Sequence, residues 1–474
     1  TSHSPDHAFL TAHEVLLLKD GAVFARGAPD AVIDDAVLSG LYDTPTVVAR
    51  APVAGGGCVK VYLLVMAIAT ATTYVAVPII RHIALVGNAL TPVRARDVHS
   101  TPIPRLGGVA MFFGLFSAIS VASTIPYLSD VIDSSAWAVV LGAGLVCLLG
   151  VVDDLWELDW MTKLAGQILA AGVMAWQGVQ LLTFPVAGLT IGSSRLSLIS
   201  TVIVVVAAIN AVNFVDGLDG LAAGIIGIGS TAFFLYTYVL TRATSPGSYS
   251  SLAATIVAAL IGVCVGFLPH NFNPATIFMG DSGAMQLGLV SAASTIIVTG
   301  QIDPGSFDGS RALPAFMPIL LPLAVLLLPL TDMIMAIVRR ARKGLSPTHP
   351  DRMHMHHRLL AAGHSHRRAV LVMYLWAAVA SFPVAAMAFF PLPWVMVGAG
   401  IAVLFAFVVT VDLMPGVRHA LHSMLHRRQD RQEQRIVVSR NVSGTGEVTR
   451  PAEGQAPHGS ALAAPSEPTE GGRQ

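Results

Sequence analysis

The chain has 474 residues, 54% of them hydrophobic and only 12% charged, and its 28 basic and 28 acidic side chains balance to a formal net charge of zero. A soluble globular chain carries about 25% charged residues, so this composition, with a mean hydropathy of +0.68, excludes an ordinary soluble domain. Several nearly uncharged stretches of about 18 residues or more read as spanning helices, and the fold class expected is an all-α polytopic membrane protein. Cys58, Cys147 and Cys264 lie far apart, so neither a disulfide framework nor a CxxC metal site is indicated. No nucleic-acid partner is expected, and no internal repeat is found.

Residues 1–57 have a separate character. They are mildly acidic and amphipathic, and Glu14-Val-Leu-Leu-Leu-Lys-Asp-Gly-Ala-Val-Phe-Ala-Arg-Gly27 reads as strand, tight Asp-Gly turn, strand. With His3 ahead of it, this stretch resembles the C-terminal end of an ABC-transporter ATPase, where a switch histidine precedes such a hairpin. No GxxxxGK[ST] phosphate loop occurs in the chain, which excludes a working ATPase. The expectation is a fused remnant or extension, with a novel small domain as the plainer reading. Gly55-Gly-Gly-Cys58 has no apolar signal region before it, which argues against a lipoprotein signal or a cleaved secretory peptide.

From Val59 onward apolar segments follow closely, at 59–80, 106–127, 136–152, 162–182, 199–213, 220–241, 251–268, 282–299, 314–338, 370–390 and 393–412, predicting about eleven transmembrane helices. Lys and Arg concentrate in the 81–105 and 339–369 loops, which the positive-inside rule places in the cytoplasm. An odd span count then puts the N-terminus outside and the C-terminus inside. The membrane domain is expected over 58–428, and 429–474, rich in Gly, Pro, Ser, Glu and Gln, reads as a disordered cytoplasmic tail.

The polar motifs all fall on the predicted cytoplasmic side. Asn210-Ala-Val-Asn213-Phe-Val-Asp216-Gly-Leu-Asp219-Gly220 sits where one apolar run ends and the next begins. An ionised Asp at the bilayer centre costs roughly 3 kcal/mol, a cost largely avoided at a helix end. A polar turn between spans is the plain reading, but Asp216 and Asp219, spaced i, i+3, can face one another, and four oxygen-bearing side chains exceed what a turn needs. Asp153-Asp154 with Lys163, the Asp97–Gly108 loop, Pro269–Gly283 and the histidine-rich His349–Arg358 loop join it. Five such clusters on one face describe one converging site. Carboxylates and Asn213 are hard oxygen ligands suited to Mg²⁺ or Mn²⁺, and Lys163, Arg105 and the basic loop suit a phosphate or pyrophosphate. Adjacent Asp153 and Asp154 cannot point the same way on a helix, so one can bind while the other supports; a helix cap is the plain alternative. For the histidines the alternatives are a solvated loop or zinc through His354 and His357, without any accompanying Cys.

These motifs resemble those of the polyprenyl-phosphate N-acetylhexosamine-1-phosphate transferases, over about residues 60 to 412 and in family order. The resemblance implies transfer of a sugar-1-phosphate from a UDP-sugar to a lipid phosphate, with Mg²⁺ and release of UMP. It makes Asp281 and Asn213 metal ligands and Asp219 the contact to uracil. Lys163 would meet the phosphates, Asp153 and Asp154 would act at the polyprenyl phosphate, and His354, His356, His357 and Arg358 would hold the nucleotide-sugar. Asp216 is a motif position without an assigned role. His354-Met-His356-His357-Arg358-Leu359-Leu360 lacks the Phe-Glu that follows three histidines in the lipid I synthases. Together with Asp-x-His-x-x-Pro-x-Pro-x-x-Gly-Gly at 97–108, it is similar to the UDP-GlcNAc branch. The expected partners are UDP-GlcNAc, a polyprenyl phosphate and the plasma membrane, with a homodimer left open. The alternatives are a phospho-MurNAc-pentapeptide transferase, a transporter with acids in mid-span, or a membrane partner of an ABC importer.

Overall fold

The computed structural model describes residues 14–19, 22–28, 32–44, 57–87, 103–181, 193–243, 249–299, 320, 323–342, 344, 355–361 and 363–412. Asp97, His99, His354 and the predicted tail lie outside them, and at His356 and His357 the description stops at the backbone.

Near the start, β1 (Val15–Lys19) and β2 (Ala22–Gly27) pair antiparallel with Val15 opposite Gly27, the hairpin expected from alternation around Asp-Gly. A short helix, α1 (Asp35–Tyr42), follows, with Asp34 accepting the Val37 N–H at 2.7 Å as its cap. Val15, Ile33 and Leu38 form a small apolar cluster of their own.

The rest is helical: α2 (Gly57–Val86), α3 (Gly107–Ala122), α4 (Pro126–Ser129), α5 (Ser134–Trp156), α6 (Trp160–Trp176), α7 (Ser194–Val215), α8 (Leu221–Ala243), α9 (Tyr249–Asn271), α10 (Gly280–Thr299), α11 (Leu327–Arg342), α12 (Met355–Ala361), α13 (His366–Ala386) and α14 (Leu392–Asp412). Among the described residues eight helices are long and apolar enough to cross a membrane, namely α2, α5, α7, α8, α9, α10, α13 and α14. The chain is a polytopic membrane protein of α-helices. Each of the eleven predicted apolar segments carries a helix, but three fall short by this measure. At 16 and 17 residues, α3 and α6 span about 1.5 Å per residue, less than a hydrocarbon core of about 30 Å. The described part of α11 has 16 residues and ends in Arg339, Arg340 and Arg342.

Two helices form the centre: the spanning windows of α10 and α9 are 94% and 89% buried, against 11% for α14. Around α10 lie α3, α5, α7 and α9. Its sequence explains this place, because Gly280, Ser282, Gly283, Ala284, Gly288, Ala292 and Ala293 are small enough to let neighbouring backbones come close. The outer helices instead turn large apolar side chains outward, among them Ile203, Leu169 and Leu404, as lipid-facing surfaces do.

The close approaches concentrate where α3 and α10 begin and α5 ends. Phe278 donates its N–H to Pro104 O at 2.8 Å, Gly107 N–H reaches Phe278 O at 3.0 Å, and Gly108 N–H reaches Met279 O at 2.9 Å. A Cβ on Gly108 would lie 2.1 Å from Gly283 N, and one on Gly150 would lie 2.2 Å from Ser282 N and Cα. Both neighbours are backbone, which has little room to yield. Gly150→Ala is therefore expected to destabilise the protein by about 1–3 kcal/mol or more, read as a lowered melting temperature in detergent. Among the described residues nothing lies within 4 Å of the missing Cβ of Gly172 on α6, so Gly172→Ala should be neutral or stabilising by up to about 1 kcal/mol. Equal melting shifts for the two variants would contradict this packing.

Candidate active site

Three helix ends deliver the central cluster. Asp153 stands in the last turn of α5, Lys163 in the first turn of α6, and Asp281 in the first turn of α10. The α5–α6 turn is built by its own polar residues. Glu157 takes the left-handed conformation (φ 49°) that ends α5, and Asp159 caps α6 by accepting the Met161 and Thr162 N–H groups at 3.0 and 3.1 Å. Hydrogen bonds from the Thr162 hydroxyl, and then its N–H, hold the Asp159 carboxyl below the usual carboxylate range.

Lys163 Nζ bridges two carboxylates, lying 2.5 Å from Asp153 Oδ2 and 3.0 Å from Asp281 Oδ2. Asp153 Oδ1 also accepts the Leu158 N–H at 2.8 Å, so the turn that brings Lys163 round fixes the acid that meets it. Asn213, in the last turns of α7, interacts through its side chain with Asp281, as does the Asp153 carboxyl. Asp153 keeps 7% of its side-chain surface exposed, Lys163 30% and Asp281 26%, so the cluster is rooted in the fold yet reachable.

Asp154 points elsewhere. One of its oxygens accepts the Asp281 N–H at 3.1 Å; the other takes the Ser282 N–H at 3.3 Å and the Ser282 hydroxyl at 3.1 Å. That is a cap on α10 supplied by another helix, favourable at the positive end of the helix dipole. Gly280, with φ +70°, makes the turn before it against Arg105 O and Asp154. Of the two readings open for the Asp pair, the geometry gives one carboxylate to the ammonium and the other to support.

Asp216 ends α7, half-buried. Burial pushes its carboxyl up to about 7, the Asp281 charge adds to the shift, and Arg105 opposes it. Asp219 is almost wholly buried and accepts the Asn273 side-chain amide at 3.0 Å and the Ala275 N–H at 3.1 Å. Asn271 accepts the Gly220 N–H at 2.9 Å and donates to Ile277 O at 3.0 Å. Thus the 216–220 and 271–277 segments are tied together. Asn210 does not reach the cluster: it donates to Gln167 at 2.7 Å, joining α7 to α6. Arg358 lies exposed on α12, and His354, His356 and His357 are beyond the described side chains.

Sequence reasoning passed over His366, Arg367 and Tyr374 on α13 as site residues, although all three bond to these segments. Their signal is His364-Ser-His366-Arg-Arg directly ahead of an apolar run. Gly150 was also missed, since nothing in an apolar helix marks which glycine faces a backbone.

The cap makes a separate prediction. Asp154→Ala leaves the N–H groups of Asp281 and Ser282 without their acceptor, so thermal stability should fall by about 1–3 kcal/mol. Asp154→Asn, which keeps one acceptor oxygen, should lose less. Unchanged melting of the alanine variant would refute the capping role.

Among the described residues no three His, Cys, Asp or Glu side chains are grouped to hold a metal ion. The glycosyl transferase family 4 model matches residues 136–299. The chain is 42% identical over 375 residues to the decaprenyl-phosphate N-acetylglucosaminephosphotransferase of Mycolicibacterium smegmatis, covering 78% of this chain and 92% of that one. It is 30% identical over 308 residues to the probable undecaprenyl-phosphate N-acetylglucosaminyl 1-phosphate transferase of Bacillus subtilis, covering 64% and 78%. It is also 28% identical over 234 residues to the phospho-N-acetylmuramoyl-pentapeptide-transferase of Desulforudis audaxviator, covering 44% and 66%. The motifs, the membrane-spanning helices and these matches place the chain in the family: it belongs to the polyprenyl-phosphate N-acetylhexosamine-1-phosphate transferases of glycosyl transferase family 4.

Proposed function

We propose that the protein transfers N-acetylglucosamine-1-phosphate from UDP-GlcNAc to a polyprenyl phosphate, giving polyprenyl-diphospho-GlcNAc and UMP. The observation that carries this reading is the Lys163 ammonium held between Asp153 and Asp281 where helix ends meet, in a chain 42% identical to a relative named for this transfer. The lipid I alternative is supported by weaker likeness over less of the chain. That first relative's name makes decaprenyl phosphate the acceptor to try first.

The donor set fits a hard cation. Asp281 and Asn213 are side-chain neighbours that each carry an oxygen of the hard type, and Mg²⁺ is usually held by one or two carboxylates together with substrate phosphates rather than by a full protein cage. Bound there by Asp281 and Asn213, Mg²⁺ (or Mn²⁺) would supply positive charge at the donor pyrophosphate. Lys163 adds a second positive charge, held in place by Asp153, so that two anionic substrates can be brought together. In the transfer an oxygen of the lipid phosphate bonds to the β-phosphorus of the donor, and the bond to the bridging oxygen breaks, leaving UMP. Asp153 faces the acceptor, either taking a proton from the lipid phosphate or orienting it through Lys163. Asp154 acts through α10, setting Asp281. Asp219 and its turn receive the uracil, and His354, His356, His357 and Arg358 hold the sugar-nucleotide phosphates.

Asp281→Asn should lower activity by orders of magnitude and weaken the Mg²⁺ dependence of UDP-GlcNAc binding, because metal charge is worth several kcal/mol here. Asp153→Asn should reduce turnover by roughly 10²–10⁴-fold if it is a base and leave Mg²⁺-dependent binding nearly intact. The check is nucleotide-sugar affinity with and without Mg²⁺ in both variants; unchanged metal dependence in Asp281→Asn would remove it as a ligand.

The site is proposed to face the cytoplasm, since the basic 81–105 and 339–369 loops flank it in sequence. Ser346→Cys should then resist a membrane-impermeant thiol reagent in intact cells and react after permeabilisation. Rapid labelling from outside would reverse the orientation.

A further inference from the structure

The start of α13 reaches across to the turn that follows α7. Asp219 donates its backbone N–H to His366 Nε2 at 3.0 Å. Tyr374 donates its hydroxyl to Gly220 O, and Arg367 Nε donates to Asn273 O at 3.0 Å. A Cβ on Gly224 would lie against the Tyr374 ring, so α13 also packs closely on the first turn of α8. The 216–220 turn is therefore gripped twice, by Asn271, Asn273 and Ala275 on one side and by α13 on the other. Among these ties the His366 bond is unlike the rest. It is the side chain that orients the Asp219 peptide, the peptide from which the buried Asp219 carboxyl projects, and the ring keeps only 12% of its surface exposed. A buried N–H that loses its acceptor must turn to find another, and the turn would rotate with it. None of these bonds goes to α5, α6 or α10, which carry Asp153, Lys163 and Asp281.

We propose that His366 is a positioning residue for the nucleotide-sugar: by accepting the Asp219 N–H it fixes the Asp216–Gly220 turn against the 271–277 segment, without touching substrate. The proposal rests on the reading that this turn receives the nucleotide. It predicts an effect on one substrate and not the other, which general loosening of the fold would not produce.

The test is steady-state kinetics of the full chain in detergent with Mg²⁺, varying UDP-GlcNAc and polyprenyl phosphate separately. His366→Leu should raise KM for UDP-GlcNAc by about tenfold while KM for the lipid moves by less than about twofold. His366→Gln, whose side-chain oxygen reaches close to the position of Nε2, should recover most of the loss. His366→Asn, with its oxygen too short, should behave like leucine and replaces it if the leucine variant does not fold. An unchanged UDP-GlcNAc KM in the leucine or asparagine variant, an equal rise for both substrates, or no recovery with glutamine would overturn the proposal. Asp219→Asn serves as the reference. If it raises the UDP-GlcNAc KM and His366→Leu does not, the nucleotide reading stands and the His366 role falls. If Asp219→Asn leaves that KM unchanged, the reading beneath the proposal falls with it.

Discussion

Two carboxylates from different helices share one ammonium, and the arrangement of the site follows from that sharing. Two like charges about 4 Å apart repel by about 4 kcal/mol at the effective dielectric near a protein surface. Asp153 and Asp281 therefore need Lys163 between them, and Lys163 needs both to hold an extended side chain in one place. The cluster can form only because the helix ends come closer than ordinary side chains permit. Gly108 and Gly150 lie against the backbone of Gly283 and Ser282, which brings the start of α3 and the end of α5 close against the start of α10. Substitution at these glycines would move the carboxylates without changing any charged side chain.

A second tier of polar contacts holds the first. Asp154 caps α10 through the N–H groups of Asp281 and Ser282, so the acid beside the ammonium-bound one sets the direction of its partner. Asp159 caps α6 and so aims Lys163. Farther along, Asp219 closes the 271–275 segment onto the turn after α7. Carboxylates at these helix ends thus divide into those that support and those left reachable, and the exposure of Lys163 and Asp281 marks the reachable end.

Much of this was legible in the sequence. Apolar runs located the helices because a span must satisfy its own backbone hydrogen bonds and leave apolar side chains facing lipid. Asp153, Lys163, Asn213 and Asp281 stood out because polar clusters at the ends of several apolar runs fall on one predicted face, where helix ends can bring them together. The roles within Asp153-Asp154 were not, since helix geometry says that neighbours diverge and leaves open which one faces which partner. Asn210 read like its neighbour Asn213, yet one helical turn moved it onto Gln167. The span count was the least legible feature, because α3 and α6 are apolar but have only 16 and 17 residues, at or below the short end of spanning length. His366 is not legible as a site residue because the arginines beside it, Arg367 and Arg368, already fit the positive-inside pattern.

The central claim is that the sugar moves together with its phosphate. Purified protein in detergent, with Mg²⁺, polyprenyl phosphate and UDP-GlcNAc labelled with ³²P at the β-phosphate, tests it directly. The account predicts that label passes into the organic-extractable lipid while UMP appears in equal amount. Label remaining in water as UDP, with sugar alone on the lipid, or no transfer at all from UDP-GlcNAc, would contradict it.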